Sequence, residues 1–177
     1  MTTRTNVVAR LALVVGLGAT SAAFATGQPP SGPREICREV RAELHELATQ
    51  ENCTSPLAFC AAGNISGNFG LVGTTYFTVD GAAATPAQSP GTSAYTGVFV
   101  ITTPLGTLTL RETGISYPRR GNPEGGFIAS MAEVQGGTGM YATTRGLLFF
   151  HGTNGRGLPN DIAVAGELCF QWPPPRR

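Results

Sequence analysis

Few side chains in this sequence are suited to chemistry, and the best placed sit among apolar neighbours at steps of two. Glu112 follows Leu108 and Leu110 in the run Gly106-Thr107-Leu108-Thr109-Leu110-Arg111-Glu112-Thr113. In a strand, positions two apart share a face, so Glu112 points with the leucines while Arg111 points with Thr107 and Thr109. Glu167 shares parity with Ala163, Ala165 and Cys169, a small-residue face suited to lining a cavity. Glu133 shares parity with Phe127, Ala129 and Met131, and Tyr76 and Tyr141 add phenol hydroxyls. A carboxyl inside an apolar shell has its pKa raised, which is what an acid or base working near neutral pH requires. Glu112, Glu167, Tyr76 and Tyr141 are therefore the candidate catalytic residues. The competing reading of each glutamate is a rim position or a surface pair, such as Glu133 with Arg145.

Other chemistries lack their residues. There is no nucleophile elbow, no phosphate loop and no His matched to a Ser or Cys nucleophile. All 12 basic residues are Arg, which excludes Schiff-base and lysine-nucleophile mechanisms. The net charge is +1, and without Arg4 and Arg10 acidic residues outnumber basic ones by one. No basic stripe exists, so nucleic acid is not an expected partner, and no cofactor is expected. Cys37, Cys53, Cys60 and Cys169 contain no Cys-x-x-Cys pair, which argues against zinc. In an exported chain an even count favours two disulfides, and three pairings are possible. The pairing expected here is Cys37–Cys53 with Cys60–Cys169, the second clipping the first strand of a closed sheet to the last.

Export is expected from the N-terminus. Arg4 and Arg10 precede the apolar run Leu11–Ala19, and Ala23-Phe24-Ala25 is a small-x-small cleavage site ending at Ala25. The run is too short to span a bilayer, so no stable membrane insertion is expected after cleavage, and the location is secreted or periplasmic. Residues 26–33 read as a Pro/Gly/Gln linker. Residues 34–50 read as an amphipathic α-helix, with Ile36, Cys37, Val40, Leu44, Leu47 and Ala48 as its apolar stripe and His45 on the polar side. A loop then runs to residue 59.

From Gly63 onward the period is two. Thr74–Val79, Ala94–Thr103, Thr107–Thr113, Phe127–Val134, Met140–His151 and Ile162–Phe170 read as strands, separated by Gly- and Pro-rich turns. Charged residues are only 13% and Gly numbers 24, a profile of strands and turns. Seven or eight antiparallel strands would close on themselves to remove their edges. The expected fold is thus all-β: a closed antiparallel barrel of about eight strands over residues 60–171, preceded by the helix and followed by a Pro/Arg tail.

The segment Gly136-Gly137-Thr138-Gly139-Met140-Tyr141 followed by Arg145-Gly146, together with Asn64-Ile65-Ser66-Gly67 and Gly166-Glu167-Leu168-Cys169, resembles the allene oxide cyclase barrel-like and dirigent-like proteins. The resemblance spans roughly residues 60–170. It implies a barrel whose interior binds a small hydrophobic molecule and steers an isomerisation or cyclisation without metal or nucleotide. The plant cyclases carry a glutamate and an asparagine early in the barrel; Asn64 answers to the asparagine, and no glutamate matches beside it. The alternative implied is a non-enzymatic secreted barrel, its core filled by Phe77, Phe99, Leu147, Phe149, Ile162 and Phe170, that forms homo-oligomers through its outer face.

Overall fold

Alternation of buried and exposed residues runs through the chain in the computed structural model, which describes residues 34–85, 91–118, 125–155 and 159–172. Eight strands carry it: β1 (Arg34–Thr49), β2 (Cys60–Gly67), β3 (Val72–Ala84), β4 (Ser93–Thr103), β5 (Gly106–Pro118), β6 (Gly125–Gly137), β7 (Arg145–Gly155) and β8 (Asn160–Trp172). Each pairs antiparallel with the next, and β8 returns to β1, closing the barrel. Closure leaves no strand edge unpaired. A single 3-10 turn, Gly139–Tyr141, joins β6 to β7.

The helix expected over residues 34–50 is not there; that stretch is β1. Val40, Ala42, Leu44 and Glu46 are buried while Arg41, Glu43 and His45 are exposed, an unbroken period of two. The apolar positions 36, 40, 44 and 48 lie four apart, and a step of four keeps to one face of a strand as well as one face of a helix. Pairing decides between them. β1 runs beside β8 from Arg34↔Trp172 to Glu46↔Asn160 and beside β2 from Ala42↔Gly67 to Thr49↔Cys60. A helix here would leave two long edges open. The barrel therefore begins at residue 34. The expected leader with its cleavage site at Ala25, and the linker, lie outside the described residues, as does the tail beyond Trp172.

The disulfides also differ from the expected pairing. They are Cys37–Cys169 and Cys53–Cys60. Cys37 sits opposite Cys169 in the β1–β8 ladder, so the clip between first and last strands exists, made by Cys37 because β1 is the first strand. The second bridge, across a sequence separation of seven, ties the β1–β2 loop to the first residue of β2. Two disulfides place the protein in an oxidising compartment.

One end of the barrel is solid. Leu71, Ile101, Leu108, Leu168 and Tyr141 are fully buried there, and the Tyr141 hydroxyl donates to the Gly70 carbonyl at 3.0 Å. The backbone N–H groups of Thr138 and Met140 bond the carbonyls of Thr107 and Leu105, seating the Gly-Gly-Thr-Gly-Met-Tyr segment as a plug. Of the six residues expected to fill the interior, Phe77, Phe99 and Ile162 are buried and Phe170 packs against the core, but Phe149 is exposed and Leu147 shares its outward face, opposite Glu133 and Glu167. Leu148 and Phe150 hold the inward positions of β7.

Candidate functional site

The other end of the barrel is hollow. A cavity of about 540 Å³ lies at the end of the barrel where β1, β3, β5 and β7 finish and β2, β4, β6 and β8 begin. That lies within the ordinary range for small-molecule sites. Its floor is a file of rings: Tyr95 to Phe77 at 5.8 Å, Phe77 to Phe99 at 6.2 Å, and Phe99 to Phe150 at 5.2 Å between centroids. Phe99 is on β4 and Phe150 on β7, which are not neighbours in the sheet, so their contact crosses the interior. Leu57 and Phe59, from the β1–β2 loop, line the cavity and remain about half exposed.

Two carboxyls enter this apolar space. Glu46 and Glu112 are each only 4% exposed, and both line the cavity. Each is accommodated by missing side chains on neighbouring strands. Glu46 on β1 is in register with Gly63 on β2, which is in register with Thr75 on β3. A methyl group on Gly63 would come within 2.8 Å of the Glu46 side chain and 2.0 Å of the His45 carbonyl. The bare glycine lets the Thr75 hydroxyl reach over it and donate to Glu46 Oε1 at 2.8 Å. The same device operates at β5. Tyr95 lies across Gly114, where a methyl group would meet its ring and hydroxyl oxygen at 2.5 Å. From there the Tyr95 hydroxyl donates to Glu112 Oε1 at 3.0 Å.

Burial sets the charge of the pair. Desolvation pushes Glu46 up to about 7, against the opposing hydrogen bond from Thr75, and the nearby Glu112 raises it further. Glu112 is also raised by burial, with Ser130 and the Tyr95 hydroxyl opposing. Burial, and next the charge of Glu112, hold the Tyr95 phenol far above its usual range, so it is a donor at any physiological pH. The arrangement is chemically capable of proton transfer near neutrality: two buried carboxyls, both raised by desolvation, with Glu46 brought to about 7.

Of the candidate catalytic residues Glu112, Glu167, Tyr76 and Tyr141, only Glu112 lines this cavity. Glu167 is exposed on the outer face, opposite Glu39 in the β1–β8 ladder. Its parity class, with Ala163 and Ala165, is the outward one. Glu133 is outward for the same reason. Tyr76 also points outward, and its hydroxyl donates to the Glu51 carbonyl at 2.7 Å, tying down the β1–β2 loop. Tyr141 belongs to the plug at the closed end. Asn64, matched to the cyclases' asparagine, is exposed on β2. Sequence reasoning missed Glu46 and Tyr95. The signal for Glu46 was its parity with Val40, Ala42 and Leu44, hidden by the helical reading of β1.

Cys37, Glu167 and Cys169 bring three ligand-type atoms within 4.8 Å of one another, but both sulfurs are spent in a disulfide. Among the described residues, no helix is long and apolar enough to cross a membrane. The fold and site together define a disulfide-bonded, eight-stranded antiparallel barrel with a carboxyl-bearing internal cavity. No family model, curated protein or solved structure matches the chain.

Proposed function

We propose that the protein is a secreted barrel that takes a small, mainly apolar molecule into its open end, with the molecule's polar group at Glu46 and Glu112. The observation that carries this reading is the hollow half of the barrel, a space of about 540 Å³ with an aromatic floor and two buried carboxyls. Burying two carboxyls is costly, and a solid apolar core would fold more stably without them. Likeness to the allene oxide cyclase barrel-like proteins suggests isomerisation or cyclisation as the reaction. Such an enzyme works by holding a flexible substrate in a reactive shape, with one or two polar anchors to move a proton. Glu46 and Glu112, both raised by burial, are the groups that would move it.

The test is native mass spectrometry of the purified protein after exposure to a mixed lipid extract. A retained small-molecule adduct, lost when Ala61 at the cavity wall is replaced by Trp, is the expected result. Absence of any adduct in the wild-type protein would count against the reading. If turnover of a retained molecule is found, Glu112→Gln should lower it by more than it weakens binding.

A second reading is a non-enzymatic barrel that associates through its outer face with a second copy of itself. The observation favouring it is a patch on β5, β6 and β7. Ile115, Phe127, Met131 and Phe149 are each about half exposed, with Met131 directly between Thr113 and Phe149 in the ladder.

A further inference from the structure

No described cationic side chain lines the cavity beside the two carboxyls. Among the described residues lining the cavity there is no Arg and no His; apart from Glu46 and Glu112, the only titratable side chain is Tyr95. The groups facing Glu46 across the neighbouring strands are Gly63, Thr75 and Asn160, and those facing Glu112 are Gly97, Ala132, Ser130 and Tyr95, all neutral at physiological pH. Thr75 and Tyr95 each hold one oxygen, Oε1, of their glutamate, and each carboxyl carries a second. The outer surface is different. There every described carboxylate–Arg contact is made, Arg41 with Glu39, Arg111 with Asp80 and Arg145 with Glu35. Three acids outside thus have an Arg, while the described lining of the cavity brings none to Glu46 or Glu112.

We propose that the cavity selects a cationic amphiphile: a protonated amine held between Glu46 and Glu112, with its apolar body on the Phe77, Phe99 and Phe150 floor. This rests on the ligand-binding reading above and names the class of ligand. An ammonium supplies the missing positive charge, donates to both carboxyls, and replaces in part the water each lost on burial. Its attraction to a carboxylate is strengthened by the apolar surroundings. The aromatic floor adds ring faces that also favour a cation. A fatty acid of the same size is disfavoured, because its head would be a third acid beside two, and no Arg is among the described residues lining the cavity. A neutral alcohol satisfies hydrogen bonds but leaves the charge unanswered.

The experiment compares decylamine, decan-1-ol and decanoate, matched in chain length, by isothermal titration calorimetry on the full chain below their micellar range. At pH 7.5 decylamine should bind at least about tenfold more tightly than decan-1-ol, with decanoate weakest. Lowering the pH to about 4.5 moves both carboxyls, each raised by burial, toward the neutral form while the amine stays charged, so the amine's advantage over the alcohol should shrink. The Glu46→Gln, Glu112→Gln double variant should show the same loss at pH 7.5 while still binding decan-1-ol. The pH arm uses wild-type protein and serves if the variant does not fold. Equal binding of all three probes, or preference for decanoate, would overturn the amine assignment and leave the binding site intact. Binding of none of the three would overturn both.

Discussion

Glu46 is the side chain through which pH acts on this fold. Its folded-state pKa, about 7, lies above the 4.5 of the unfolded chain, so the folded state binds the proton more tightly. Stability is therefore full below about pH 4.5 and falls as pH rises toward 7, by up to an amount on the order of 3 kcal/mol for this one group. Glu112, raised in the same direction, adds to the same slope. Glu46→Gln should flatten much of that loss: in urea titrations at pH 8 it should be more stable than wild type, and at pH 4.5 the two should be nearly equal. A wild-type curve that is flat or rising between pH 4.5 and 7 would contradict the burial of this pair. Tyr95→Phe removes a hydrogen bond that favours ionised Glu112, so the Glu112 carboxyl should titrate higher still, which carboxyl-region NMR would detect. Gly63→Ala places a methyl group against the β1 backbone and should cost at least about 2 kcal/mol, because the clash at 2.0 Å is with a carbonyl that cannot step aside.

At the scale of elements, β1 matters most, because it closes the barrel and supplies Glu46. The Cys37–Cys169 bridge staples its outer end to β8 across 132 residues of sequence, whereas Cys53–Cys60 spans seven. In the chain-entropy view the longer closure contributes roughly 5 kcal/mol and the shorter roughly 2. Replacing the first pair by Ser should therefore lower the urea midpoint more than replacing the second. The second pair's loss should instead loosen the loop that carries Leu57 and Phe59 at the cavity mouth, which hydrogen exchange of residues 50–59 would report. That loop is also held by Tyr76 to Glu51 and by the Ser55 hydroxyl donating to the Val79 carbonyl at 2.5 Å. β4, β5, β6 and β8 were legible because β-branched and aromatic residues alternate with polar ones between Gly-rich turns. β1 was not, because Glu, Arg, Ala and Leu favour helices, and its apolar spacing of four suits both periods.

The whole molecule presents two apolar surfaces of opposite character, a hollow inside and a patch outside. Phe127, Met131 and Phe149 are 51%, 49% and 49% exposed on β6 and β7. Covering them would remove apolar area from water, and the second-copy reading predicts a shift from monomer to a larger species as concentration rises in analytical ultracentrifugation. Met131→Glu with Phe149→Glu should hold the protein monomeric without altering its pH dependence of stability, since both point away from Glu46 and Glu112. A wild-type monomer at all concentrations would sink the second-copy reading and leave the cavity untouched.

From residue order alone came an all-β chain with disulfides and strands that close on themselves, and an inward Glu112. Those properties follow from local alternation and from the cost of open strand edges. Only the folded barrel decided that residues 34–49 are a strand, which cysteines meet, and that Glu46 and Tyr95 share a cavity with Glu112. It also decided that Glu167, Tyr76 and Tyr141 lie elsewhere. The reason is that parity says which residues share a face, while the partner strand says which face looks inward. Register across β1, β2 and β3 then brings Thr75 over Gly63 to Glu46, a contact between residues 29 apart that no local pattern encodes.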